Sequence, residues 1–121
     1  MNEVMRPSRA LTQVFVYRQP IDFRKSFNGL SAIVERELGH NVFAGSLYAF
    51  TNKRRNKIKC LFWERNGFVL YYKSLAEEKF KWPTPDDELL TLTGEQLNWL
   101  LDGYDIKAMI PHRKLDYDSV F

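Results

Sequence analysis

The 121-residue sequence has one cysteine and two histidines, and each scarcity removes a class of chemistry. Cys60 has no partner for an intramolecular disulfide. His40, His112 and Cys60 fall short of four zinc ligands, and a fourth would have to come from scattered acids, so no metal site is expected. Neither a glycine-rich phosphate loop nor a nucleophile elbow occurs. Asp86, Asp87 and Glu88 are adjacent in a predicted loop and lack the spaced, converging geometry of a carboxylate metal site. Asp102 and Asp105 are explained by helix termination. The expectation is a protein that is not an enzyme and holds no cofactor. No apolar run approaches the roughly 20 residues that cross a bilayer. Residues 1–10 carry no apolar stretch of the secretory kind, so a cytoplasmic location without membrane contact is expected.

What is plentiful is apolar and aromatic bulk, at 45% and 15% of residues. That is too hydrophobic for a disordered chain, and a single domain of this length buries roughly two thirds of its unfolded surface. The net charge of +3 conceals an asymmetry. Residues 1–75 hold 13 basic against 5 acidic side chains, leaving +8, whereas residues 76–121 hold 5 against 10, leaving −5. Such a division suits an anionic partner on the basic portion, or two ordinary solvated faces.

The basic charge is concentrated in residues 46–74, which alternate apolar and polar positions and contain two turn signals. Three consecutive antiparallel strands are predicted. The first connection contains Lys53, Arg54 and Arg55 between Asn52 and Asn56, and Lys57 and Lys59 extend the charge into the second strand. The second connection contains Asn66-Gly67, a pair tolerant of tight hairpins. Ile58, Cys60 and Phe62 are assigned to one face; Lys57, Lys59, Leu61 and Trp63 fall on the other. One face covered by a helix and a second, aromatic and basic face are expected. Trp63, Tyr71 and Tyr72 read either as core or as a stacking surface for nucleic acid.

The flanking segments complete an α+β domain: a small antiparallel sheet of about four to six strands with two main helices, spanning residues 1–121. Residues 1–12 read as a loose arm in which Arg6 and Arg9 are available to an anion. Residues 14–17 predict a strand. Phe27, Leu30, Ile33, Val34 and Leu38 recur at helical spacing, predicting a helix over residues 23–38 with Gly39 as a left-handed cap. Arg24 and Lys25 then fall in its first turn, exposed to solvent or facing a phosphate. Phe80 and Trp82 suggest a short edge strand before Pro83 and Pro85, and residues 89–92 another strand. Thr93 and Gln96 match a capping box opening a helix over residues 94–101. Trp99 on that helix, and Tyr104 beyond it, are candidates for a protein-interaction surface. Residues 112–121 read as a weakly structured tail.

Four stretches carry a family resemblance: PIDFRKSFNGLSAIV (20–34), FTNKRRNKIKCLFWERNGFVLYYKSLAEEKFKWP (50–83), LTGEQLNWLLDGYDI (92–106) and HRKL (112–115). In order and spacing they resemble the TnpB accessory proteins, encoded by the second open reading frame of insertion sequences of the family numbered sixty-six. Glu64-Arg65 departs from an Asp-Gly pair expected there, and Val69 from an aromatic. The resemblance implies a non-catalytic role in bacterial DNA transposition, with strand cleavage and joining left to a separate transposase. The implied partners are element DNA, the transposase and the other accessory protein. Lys53, Arg54, Arg55, Lys57 and Lys59 match the family's basic hairpin, and Arg24 and Lys25 its helix start. These seven are the expected nucleic-acid contacts. The alternative is an adaptor that binds the transposase through Trp99 and Tyr104 without touching DNA.

Overall fold

The structure is a computed structural model in which residues 5–83 and 89–109 are described. Its strands are β1 (Val14–Tyr17), β2 (Leu47–Thr51), β3 (Lys57–Glu64), β4 (Gly67–Ser74) and β5 (Leu89–Leu92). They form one sheet in the order β4-β3-β2-β1-β5. β2, β3 and β4 are the antiparallel meander that alternation predicts, and the chain is a small single-domain α+β protein. The sheet is mixed, however, because β1 lies parallel to β2, with Val14 opposite Leu47. Parallel neighbours need a crossover, and a helical segment between β1 and β2 supplies it.

That segment is α1 (Phe27–Ala32), which continues as a π-helical turn over Ile33–Glu37 and ends at Gly39, whose φ is +67° as the left-handed cap requires. It begins four residues later than the predicted Phe23. The amides of Arg24 and Lys25 close a turn on Asp22, bonding its side chain and carbonyl respectively. The carbonyls of Phe23 and Lys25, which a longer helix would direct to its own amides, instead accept from the Lys59 ammonium at 2.7 and 2.8 Å. Arg24 and Lys25 therefore precede the helix and do not lie in its first turn.

Alternation along β3 divides the core as predicted. Ile58 and Cys60, with Phe62 beside them, join the layer under α2 (Gly94–Leu101) and α3 (Ile106–Met109). Leu61 joins Leu30, Val34 and Phe50 in the layer under α1. Both faces of the sheet are thus covered, which corrects the expectation of a helix over one face and a second, aromatic and basic face. Tyr71 packs on the first layer, while Trp63 meets Phe43 and Phe68 at ring-centroid distances of 4.9 and 5.0 Å. Phe80 and Trp82 form no strand. They are buried side chains of an irregular segment, fixed by Phe80 N–H to Arg55 O (2.7 Å) and Trp82 Nε1–H to Tyr17 O (3.1 Å).

The capping box is present in full: the Gln96 amide donates to Thr93 Oγ1 and the Thr93 amide to Gln96 Oε1. Residues 5–12, which composition reads as a loose arm, are tied to α2. Asn98, completely buried in that helix, donates from Nδ2 to Pro7 O at 3.0 Å, and Gly94 N–H donates to Leu11 O at 2.8 Å. Arg6 and Arg9 meet the chain's own carboxylates, Asp102 at 2.6 Å and Glu95 at 3.2 Å. The predicted tail, residues 112–121, lies outside the described residues.

Candidate nucleic-acid interface

The β2–β3 connection is a closed loop. Asn52 is its organiser, accepting from Lys57 N–H at 3.1 Å and donating to Asn56 Oδ1 at 2.7 Å through its amide. Arg55 adopts a φ of 60°, and its carbonyl accepts from Phe80. The geometry leaves Lys53 and Arg54 exposed at the tip, with Arg55 and Lys57 half-buried behind them.

Lys59 does not belong to this surface. At 6% exposure it is a buried cation, and its ammonium lies 4.8 and 5.5 Å from the ring centroids of Phe23 and Tyr72. Burial lowers its pKa from the ordinary lysine value, Lys57 adds to the lowering, and Asp22 opposes it. Its function is positional, because the same ammonium holds the two carbonyls of residues 23 and 25. A second tie, Ile21 N–H to Thr51 O at 2.9 Å, fixes the start of that turn to the end of β2. The turn bearing Arg24 and Lys25 is thereby fastened to the β2–β3 hairpin that carries Lys53, Arg54 and Lys57. Within it, Arg24 forms a two-nitrogen pair with Asp22, with 2.6 Å the shortest contact, and its guanidinium holds the Asp22 carboxyl at about 2. Lys25 is exposed and carries its charge outward.

Beside this basic region is a rim of exposed aromatic rings that periodicity does not single out. Tyr72 packs edge-on against Phe23, and Phe27 stacks on Phe68. Tyr72, Phe27 and Phe43 are each about half exposed. Of the predicted protein-interaction pair, Tyr104 is exposed, whereas Trp99 is half-buried against the first core layer. The pair is adjacent, with Tyr104 N–H donating to Trp99 O at 3.0 Å.

Elsewhere the chemistry is sparse. His40 shares a 2.7 Å hydrogen bond with the Tyr48 hydroxyl, whose pKa burial raises. Cys60 is buried and its thiol pKa is pushed up by desolvation, the opposite of an activated nucleophile. Among the described residues no three His, Cys, Asp or Glu side chains are grouped to hold a metal ion, and no helix is long and apolar enough to cross a membrane. A groove of about 410 Å³ runs between the arm (Met5, Pro7, Leu11) and the sheet (Phe62, Val69, Tyr71), on the face opposite Lys59.

The most distinctive surface of this small α+β domain is a braced basic hairpin. The chain belongs to the IS66 Orf2-like family, whose model matches residues 12–111. It is an insertion-sequence accessory protein, and that family is not a known catalytic one. It is similar to y4jC, an uncharacterized protein of Sinorhizobium fredii, with 35% identity over 99 residues, covering 82% of this chain and 84% of the relative. It is also similar to y4hO of the same organism, with 28% identity over 101 residues and coverage of 84% and 88%. No solved structure matches the chain.

Proposed function

We propose that this accessory protein contacts DNA without catalysis, through phosphates, using Lys53, Arg54, Arg55 and Lys57 of the hairpin together with Arg24 and Lys25. The observation that carries the reading is the Lys59 brace, which fastens two basic segments some 30 residues apart in sequence to the same strand. Phosphate contacts position a protein on a duplex without selecting sequence, so a separate partner, the transposase, would supply the site and the chemistry. The transposase and the other accessory protein are the protein partners in this reading.

Binding to labelled duplex DNA should fall steeply with salt. With three or four of these six side chains on phosphates at once, the slope of log K against log salt is roughly −3. The combined variant Lys53→Ala, Arg54→Ala, Lys57→Ala should lose most of that affinity and slope. Arg55 is left in place because its left-handed backbone and its carbonyl bond make it part of the fold. Absence of binding at low salt overturns the reading. The adaptor reading is supported by the exposure of Tyr104, and it predicts salt-resistant capture of the transposase that is lost in Tyr104→Ala.

A further inference from the structure

β4 is an edge strand, and among the described residues it has neither a bulge nor a proline nor an outward-facing charge. Its eight residues pair with β3 in one unbroken register, from Glu64 opposite Gly67 to Lys57 opposite Ser74, so no bulge twists the edge away. It contains no proline, and its single charged residue, Lys73, directs its ammonium to Leu101 O at 3.0 Å. Antiparallel ladders alternate the amides that face the partner with those that face outward. Leu75 N–H donates to Asn56 O, in step with the Glu64–Gly67 pair at the turn, so residues 67, 69, 71 and 73 face β3. The amides of Phe68, Leu70, Tyr72 and Ser74 face the open edge. The side chains flanking this edge are apolar on both faces of the sheet, with Val69 46% and Tyr72 48% exposed.

We infer that the β4 edge pairs with β4 of a second copy of this chain, antiparallel about a two-fold axis normal to the sheet. Such an axis keeps each face of the sheet on its own side, so opposed residues must share parity; centres at Leu70 and Tyr71 each align seven residues of the strand, and Tyr71 engages more of the outward amides. In that register Leu70 is hydrogen-bonded opposite Tyr72 of the second copy and Phe68 opposite Ser74, so all four outward amides are used. Val69 lies opposite Lys73 of the second copy, and no two lysines oppose each other. The ends are complementary in charge: Arg65 at the turn of one copy approaches the exposed Glu77 and Glu78 just beyond β4 of the other. The result is one continuous ten-stranded sheet with isologous contacts.

The test is sedimentation of the full chain across a dilution series, with amide exchange followed by NMR. The concentrated protein should sediment at twice its 14.4 kDa mass. The amides of Phe68, Leu70 and Tyr72 should exchange at least about tenfold more slowly in the concentrated sample than in the dilute one. Val69→Lys places a charge on the edge without entering the core and should yield a folded monomer with fast exchange at those amides. Tyr72→Pro removes an outward donor that β3 does not use and should likewise yield a folded monomer, with fast exchange at Phe68 and Leu70. A wild-type protein that remains monomeric overturns the inference. So does a dimer in which the three amides exchange fast, or one that survives both substitutions.

Discussion

An ammonium group withdrawn from water is costly unless hydrogen bonds replace hydration, and Lys59 meets that condition with two backbone carbonyls and two aromatic faces. Replacing it by methionine would keep the stem and delete the donor. Lys59→Met should lose about 1–2 kcal/mol in urea unfolding, since hydrogen bonding and desolvation partly offset each other. It should also expose the bonds after Arg24 and Lys25 to trypsin under native conditions, which a purely global destabiliser of that size would not do selectively. The position shows where a one-dimensional reading stops. Alternation correctly put Lys59 on the same face as Leu61, but a lysine in a basic run reads as surface, and only the closure of residues 23–25 over it makes it interior.

Elements were legible where their signals are local. The Thr93–Gln96 capping box and the strands of residues 46–74 depend on neighbours a few positions away, and both formed as read. The second hairpin shows a finer limit. Its loop is Arg65-Asn66, since Glu64 pairs with Gly67, and the left-handed φ of 53° falls on Arg65 and not on the Asn-Gly pair. An L-residue there costs about 1 kcal/mol, so Arg65→Gly should raise the melting temperature, in keeping with the Asp-Gly that the family resemblance leads one to expect at 64–65. The arm was illegible because its anchor lies some 90 residues away. At Gly94 an added Cβ would lie 2.2 Å from Ser8 O, a backbone atom that can only move by carrying the arm with it. Gly94→Ala should therefore cost about 1–3 kcal/mol and open the bond after Arg9 to protease while α2 itself remains helical.

At the scale of the molecule, Cys60 reports on all of this at once. It is the chain's single thiol, 1% exposed near the middle of β3, with its ionisation suppressed by burial. Native protein should resist a thiol reagent, and labelling should follow the global unfolding transition in urea, with one equivalent taken up per chain. Labelling well before that transition would show that β3 opens by itself. The layering of the fold is only half legible in the sequence for a related reason. Periodicity shows that both faces of β3 and β4 carry apolar bulk, but which helices cover them depends on the order of the strands. That order has a consequence during synthesis. β1 lies between β2 and β5, with Val14 opposite both Leu47 and Leu92. At translation rates of roughly 5–20 residues per second, the interval between the appearance of β1 and of β5 is on the order of several seconds. Until Leu92 clears the ribosome, one side of the almost wholly apolar strand β1 has no neighbour, and chains nascent on the same message are its nearest alternatives.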